Sequence, residues 1–174
     1  MSILKAPPMS RVAIKQFATR FRRFCRVDDP YFPVDRVLEA VPCFIKGYSV
    51  EIEPDGVMGD NHGLTDYLNK VIRIREDVYD GACEGKGRDR MTCAHEIGHA
   101  ILHTNNLVSA RSYNEIKTYE DPEWQAMAFA GHLLIPDEIA SRCSAHDIVE
   151  ICGVSLDAAL VAIKCCSPQK IWKQ

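Results

Sequence analysis

The chain has 174 residues, of which 47% are hydrophobic, and its 21 basic and 24 acidic side chains leave a formal net charge of −3. This length suits one buried core, and no internal repeat or low-complexity linker divides it, so we predict a single domain over residues 1–174. The first residues lack the apolar stretch of a signal peptide, and no run of about 18 apolar residues follows. We therefore expect a cytoplasmic protein with no membrane partner.

The N-terminal end is basic, because residues 1–26 contain seven Lys or Arg and no acidic residue. Ile14, Phe17 and Phe21 recur there at helical spacing, which predicts an amphipathic helix with a basic outer face. We expect its apolar side to dock on the domain and its charges to be solvated. Direct contact with nucleic acid is disfavoured, because only one short element carries the charge.

Short elements are predicted next along the chain. Residues 33–40 have the pattern of a short helix, and the alternation over residues 48–53 predicts a half-exposed strand. Residues 71–75 predict a second strand. Two or three antiparallel strands would then precede the long helix that follows, which gives a mostly helical α+β fold with a small antiparallel sheet.

The segment from His95 to His99 places two imidazoles and a carboxylate within little more than one helical turn. No proline interrupts residues 88–103, and apolar residues recur there at helical spacing, so we predict a largely buried helix. Residues four apart share a helix face, so His95 and His99 can reach one metal ion while Glu96 stays beside it as a general base. Buried polar groups need partners, which a metal supplies.

A third ligand has to come from another helix. Asp121 can cap that helix and Pro122 suits its first turn, so Glu123 opens a second buried helix that ends at residues 135–136. Small residues further along would let the two helices approach each other. Glu120 is an alternative ligand, as is Asp121, but both precede the helix. Without a metal, Glu123 would be a first-turn acid that complements the helix dipole.

The two segments together resemble the ImmA/IrrE metallopeptidases of bacteria and of their phages and mobile elements. Members show an arginine, then A-H-E-[LI]-G-H-x-x-x-H, and later E-x-x-A-[ND]-x-F-A-x-x-L-L-x-P. The resemblance covers roughly residues 31–166. The matching positions are Arg90, residues 94–99 and His103 in the first motif, and Glu123, Ala126, Phe129, Ala130, Leu133, Leu134 and Pro136 in the second.

The resemblance implies a zincin-like fold in which His95, His99 and Glu123 hold Zn²⁺ and Glu96 is the catalytic base. It also implies selective cleavage of a regulatory protein, commonly a transcriptional repressor encoded nearby, rather than bulk digestion. Met127 departs from the pattern, because the family usually carries Asn or Asp there. That polar residue resembles the group that orients a ligand histidine, and its loss can weaken metal affinity or activity roughly 10–100-fold.

Other residues are candidates to contact the ligands or the substrate. His103 lies two turns beyond His95, about 12 Å along the axis, so it cannot share the ion with both motif histidines. We therefore expect His103 to support a ligand, face the substrate or serve the fold. Arg90 and Tyr119 are further candidates to support a ligand or to contact the substrate. Tyr113, Tyr119 and His103 qualify by residue type as donors to a developing oxyanion.

An extended peptide substrate can pair with the edge of a sheet. If residues 71–75 form that edge, Arg73 or Arg75 would line the cleft and favour acidic residues beside the cleaved bond. Residues 104–121 form a long connection between the two ligand helices, which suits a substrate-covering element as well as a surface loop.

Residues 137–166 predict short helices around Gly153 that pack on the domain. The last of them is apolar where a DNA recognition helix needs polar side chains, so we predict no direct contact with DNA. Eight cysteines occur without a C-x-x-C spacing, and we interpret them as small apolar thiols rather than as a second metal site.

Three functions remain open. The first is a zinc-dependent endopeptidase with a narrow protein substrate. The second is a non-catalytic metal-binding protein that regulates by association, which Met127 keeps open. The third is a mononuclear iron oxygenase, because two histidines and a carboxylate also form that site, although Glu96 would then have no role.

Overall fold

The computed structural model describes residues 3–104, 106–110, 112 and 115–166. Helices and short strands follow one another along these residues, and a 3₁₀ turn at Thr118–Glu120 precedes α7. The elements are β1 (Ile3–Lys5), α1 (Arg11–Phe24), α2 (Val34–Glu39), α3 (Val41–Phe44), β2 (Ser49–Glu53), α4 (Asp55–Met58), β3 (Gly63–Asp66), β4 (Val71–Arg75), α5 (Glu76–Cys83), α6 (Gly87–His103), β5 (Val108–Ala110), α7 (Pro122–Leu134), α8 (Asp137–Ala140), α9 (Ala145–Cys152) and α10 (Leu156–Cys166).

Strands β2, β3 and β4 form a small sheet in the order β2-β4-β3. β3 and β4 are an antiparallel hairpin, whereas β2 runs parallel to β4. The predicted α+β class is confirmed, with mostly helical structure and a small sheet ahead of α6. The β2–β4 pair is parallel because the chain crosses over through α4 and β3 before it enters β4.

The arginines of β4 do not lie at a sheet edge, because β4 is the central strand between β2 and β3. Arg73 Nε lies 3.1 Å from Glu51 Oε2, across the pair with β2. Arg75 Nε donates to Asp77 Oδ1 over 2.6 Å. The condition under which Arg73 or Arg75 would face a bound peptide, an edge position for β4, is therefore not met, and acidic neighbours hold both guanidinium groups.

α6 and α7 pack closely at the centre of the core. A Cβ at Gly98 would lie 2.9 Å from Phe129 Cδ1 and 3.2 Å from the carbonyl oxygen of Ala126, so the glycine allows this approach. Ala126 and Ala130 are fully buried on the facing side of α7. The small residues expected in α7 therefore bring the two ligand helices together.

α1 packs against α7 through its apolar side, as predicted, with Ile14, Ala18 and Phe21 buried. Its basic residues are not all solvated, however. Arg22 is buried and donates from Nη1 to the carbonyl oxygen of Leu133 over 2.6 Å. The outer face of α1 is consequently less basic than the sequence predicts.

β1 pairs antiparallel with β5, which joins the N-terminal segment to the connection between α6 and α7. At the other end of the chain, Ile148 and Ala159 are buried, so α9 and α10 do pack on the domain. Leu156 and Leu160 of α10 are exposed, so a smaller part of α10 packs on the domain than the sequence predicts. No helix within the described ranges is both long and apolar enough to cross a membrane.

Candidate metal centre

Two helices supply the candidate ligands. α6 carries His95 and His99 one turn apart, as the sequence predicts. Asp121 is the N-cap of α7, and its Oδ1 accepts a hydrogen bond of 3.0 Å from the backbone nitrogen of Glu123. The cap fixes the first turn of α7 beside α6, and it leaves the Glu123 carboxylate free to reach the histidines.

His95, His99 and Glu123 come together, with one candidate ligand atom of each within 4.8 Å of the others. The two Nε2 atoms of the histidines are 2.9 Å apart. Glu123 Oε2 lies 3.2 Å from His95 Nε2, and Glu123 Oε1 lies 3.3 Å from His99 Nε2. No other group of three such ligands lies so close together in the described part of the chain.

These separations fit a bound metal ion. With metal–ligand distances of about 2.1 Å, neighbouring atoms of a tetrahedron are about 3.4 Å apart. The observed separations of 2.9, 3.2 and 3.3 Å are close to that value. Two imidazoles and one carboxylate are also the donor set of a class of catalytic zinc sites. The residues of this chain therefore fit the metal that the sequence resemblance implies.

The electrostatics of the cluster favour an ionised carboxylate. The imidazole of His95 and then that of His99 hold the pKa of Glu123 well below its usual range, against a smaller opposing effect of burial. A carboxylate that stays ionised is ready to bind a cation. The Glu123 side chain is 72% exposed, so this side of the cluster is open to solvent.

Glu96 is buried against the edge strand β3. Thr65 Oγ1 donates to Glu96 Oε2 over 2.7 Å. A Cβ at Gly63 would lie 2.7 Å from Glu96 Cγ and 3.0 Å from Oε1, so the carboxylate occupies the space that glycine leaves. In the described part of the chain no hydrogen bond to Oε1 is found, which leaves this oxygen for a proton transfer.

The far side of the His99 ring is hydrogen-bonded. Tyr67 Oη lies 2.7 Å from His99 Nδ1, and His103 Nδ1 lies 3.3 Å from the same atom. Burial raises the pKa of Tyr67, and the nearby carboxylates of Glu123 and Glu96 raise it further, so its hydroxyl stays protonated. Burial lowers the pKa of His103 to about 4, which keeps its imidazole neutral.

His95 lacks such support. Its Nδ1 is buried and has no hydrogen-bond partner within the described ranges. Met127, which stands where the family usually carries Asn or Asp, is 52% exposed. The thioether is at best a weak acceptor, so it cannot replace an amide or a carboxylate as the partner of an imidazole N–H.

Arg90 does not lie at this centre. Its guanidinium is fully buried and donates from Nε to the carbonyl oxygen of Gly153 over 2.8 Å and from Nη2 to that of Phe32 over 2.9 Å. The group also stacks on Tyr31, with 3.7 Å between its central carbon and the ring centroid. The prediction that Arg90 contacts a ligand or the substrate is therefore wrong, because backbone carbonyls hold its side chain at the other end of α6.

The alternative ligand Glu120 is also engaged elsewhere, since its Oε1 lies 2.9 Å from Lys5 Nζ. The Tyr119 ring lies under the ammonium of Lys117, 5.7 Å from the ring centroid. Its contacts in the described structure therefore do not place the ring among the ligands. Tyr113 lies outside the described residues.

The cluster opens into a cavity of about 310 Å³. Tyr67 and Glu123 line it on one side. Its apolar wall comes from the N-terminal strand and from both ends of the connection between α6 and α7, and consists of Leu4, Leu107, Ile116 and Pro122. The long connection thus forms part of the wall, as a substrate-covering element would.

Three residues at the site were not predicted from the sequence: Thr65, Tyr67 and Gln125. The turn from Asp66 to Asn69, between β3 and β4, is a hairpin signal. It could have placed Thr65 and Tyr67 at the turn end of a hairpin. Nothing in the local pattern predicts that β3 lies against α6. Gln125 lies in α7 without a motif position of its own.

A free glutamate beside two histidines of one helix, with a candidate third ligand from a second helix, is the arrangement typical of metallopeptidases of the HExxH class. The matching family model is the IrrE N-terminal-like domain of peptidase family M78, which covers residues 46–164. The chain belongs to this family, and the resemblance stated from its two motifs is confirmed.

The fold is similar to that of a solved structure of a Mycobacterium tuberculosis transcriptional regulator. Its TM-score is 0.55 and its sequence identity is 14%, over 84% of this chain and 44% of that protein. The chain thus spans less than half the length of that regulator, and the likeness shows the fold alone. No curated protein matches the sequence significantly.

Proposed function

We propose that this protein is a zinc-dependent endopeptidase that selectively cleaves a regulatory protein, such as a transcriptional repressor encoded nearby. The observation that carries the proposal is the convergence of His95, His99 and Glu123 on one point beside Glu96. Membership in a metallopeptidase family supports a protein substrate. The iron oxygenase alternative is disfavoured, since it gives Glu96 no role.

His95, His99 and Glu123 would hold the ion. When bound, Zn²⁺ supplies a Lewis acid that polarises a carbonyl group and lowers the pKa of a water molecule. Glu96 would take the proton of the attacking water on Oε1, because Thr65 holds Oε2, and would then give it to the amine nitrogen as the peptide C–N bond breaks. The wall of the 310 Å³ cavity would exclude water from part of the bound protein substrate.

We propose further that the protein works as a single domain in the cytoplasm, on a protein partner rather than on nucleic acid or a membrane. Several basic residues of the N-terminal segment are used internally, which supports this view. Arg22 binds backbone carbonyls, Lys15 pairs with Asp137, and Arg11 lies over the ring of Trp124.

The test uses a Glu96→Gln variant, which keeps the size of the side chain but removes the base. The zinc-loaded wild-type protein should cleave its repressor substrate, beginning with any repressor encoded beside its gene. The variant should lose about 100-fold or more in rate, as expected when a general base is removed. Mass spectrometry of the products measures cleavage, and metal analysis should show equal zinc in both proteins.

Glu150→Gln is the matched control, because Glu150 is exposed on α9 and distant in sequence from the motif. It should cleave like the wild type. Equal cleavage by the Glu96→Gln variant and the wild type, with zinc bound to both, would contradict the catalytic proposal.

A second function is favoured by the unpartnered Nδ1 of His95, because a loosely oriented ligand lowers turnover while His95, His99 and Glu123 still offer three metal ligands. In that case the protein binds metal and regulates a partner by association. Zinc-dependent binding of the repressor without cleavage, unchanged in the Glu96→Gln variant, would establish this alternative.

A further inference from the structure

We propose that Gln125 and His103 are positioning residues that hold His99 in the tautomer able to bind a metal. The inference rests on the proposed function only in taking His99 as a ligand. The hydrogen positions on both imidazoles follow from the donors and acceptors along one buried chain of hydrogen bonds.

The Gln125 carboxamide has one permitted orientation. Its Nε2 lies 2.8 Å from the carbonyl oxygen of Pro7 and 2.8 Å from the carbonyl oxygen of Tyr119. Carbonyl oxygens only accept, so both hydrogens of the amide nitrogen are used there. The amide oxygen must therefore face the opposite way, towards His103.

That orientation fixes the tautomer of His103. Gln125 Oε1 lies 3.0 Å from His103 Nε2, so Nε2 carries the hydrogen. A neutral imidazole has only one N–H, which leaves Nδ1 as an acceptor. Both side chains are buried, with 1% of their surface exposed, so solvent offers neither of them an alternative partner.

The tautomer of His103 in turn decides that of His99. Their Nδ1 atoms are 3.3 Å apart, so an accepting Nδ1 on His103 favours a donating Nδ1 on His99. His99 then has its lone pair on Nε2, the atom that faces His95 and Glu123. A lone pair at this atom is what metal binding requires.

Tyr67 presents the competing arrangement. Its hydroxyl, 2.7 Å from His99 Nδ1, can either donate or accept. If it donated, the two Nδ1 lone pairs of His99 and His103 would face each other across 3.3 Å, and Nε2 of His99 would carry the hydrogen. Gln125 opposes that state, because it fixes the lone pair of His103 on Nδ1, and we therefore assign Tyr67 as the acceptor from His99.

Two measurements test the proposal. In the metal-free protein at about pH 8, where exposed imidazoles are neutral, two-bond ¹H–¹⁵N spectra report the tautomer of each histidine. Competition with a chromophoric chelator gives the affinity for Zn²⁺. The variant Gln125→Leu removes the acceptor that faces His103. Gln16→Leu, at an exposed position of α1, is the matched control.

In the wild type we expect the Nε2–H tautomer for His103 and the Nδ1–H tautomer for His99. Gln125→Leu should lose this preference and weaken zinc affinity roughly 10–100-fold, whereas Gln16→Leu should change neither property. Thermal melting of each metal-free variant checks its folding.

An Nδ1–H tautomer for His103 or an Nε2–H tautomer for His99 in the wild type would overturn the proposal, whatever the variants do. So would unchanged tautomers and zinc affinity in a folded Gln125→Leu variant. These outcomes are independent of peptidase activity. If the tautomers are as expected and no repressor is cleaved, the positioning role stands and the proposed function fails.

Discussion

The two histidines of the candidate centre differ in how they are held. His99 has hydrogen-bond partners behind its ring, whereas Nδ1 of His95 has none in the described structure. An imidazole that is held on one side presents its other nitrogen in a fixed direction, and an unsupported ring has to be oriented by packing alone. The weakness of the centre is therefore localised at His95, beside the helix that carries Met127.

A polar residue at position 127 should strengthen the centre. Met127→Asn should raise zinc affinity about 10-fold, because its side-chain oxygen can accept from Nδ1 of His95. The folded state should tolerate the change, since Met127 is 52% exposed. Chelator competition measures the affinity. Leu160→Asn, at a comparably exposed position of α10, is the control, and an equal affinity for both variants would show that residue 127 does not reach His95.

Among the helices and strands, the sequence predicts the elements that are determined by residues close together in the chain. The cap at Asp121 and the helical spacing of residues 88–103 sufficed to predict α7 and α6, because caps and periodicity act within a few residues. The support of Glu96 could not be predicted in this way. Thr65 reaches Glu96 across 31 residues of sequence, and this contact exists only because β3 occupies the sheet edge against α6.

Arg90 connects α6 to the end of α9 and to the segment before α2 through buried hydrogen bonds. Arg90 donates to carbonyl oxygens at the end of α9 and at Phe32, so Arg90→Leu leaves these oxygens without their donor. We expect the free energy of unfolding to fall by about 3 kcal/mol or more, given that a hydrogen bond to a charged group contributes roughly 1.5–3 kcal/mol. Urea denaturation of the metal-free protein measures the loss.

Two comparisons sharpen that measurement. Arg90→Lys should lose less stability than Arg90→Leu, because an ammonium can still donate to one carbonyl but lacks the planar fork of the guanidinium. Arg20→Leu, at an exposed position of α1, should have little effect. A loss for Arg90→Leu as small as that for Arg20→Leu would show that the Arg90 contacts do not hold α9 to α6.

For the whole molecule, the candidate centre is where distant parts of the chain meet. β3 approaches it from the sheet, and the N-terminal segment reaches it through Leu4 in the cavity wall and through Pro7 beside Gln125. Assembly of the centre is therefore tied to folding of the whole core. Because that core encloses neutral histidines, folding should also depend on pH.

The metal-free protein should become less stable in mild acid. Burial is the main cause that lowers the pKa of His103 to about 4. Burial also lowers the pKa of His132. Histidines of the unfolded chain keep a pKa near about 6.5, so the unfolded state takes up protons first as the pH falls. The stabilisation is fully present above about pH 6.5 and is lost as the pH falls towards about 4, with a contribution of about 3 kcal/mol from His103.

Urea unfolding in the presence of EDTA at a series of pH values measures how steeply the free energy of unfolding depends on pH. His103→Gln should flatten it, whereas His146→Gln, at an exposed position of α9, should leave it unchanged. A wild-type stability that stays constant between about pH 6.5 and 4.5 would mean that these buried histidines accept protons without unfolding.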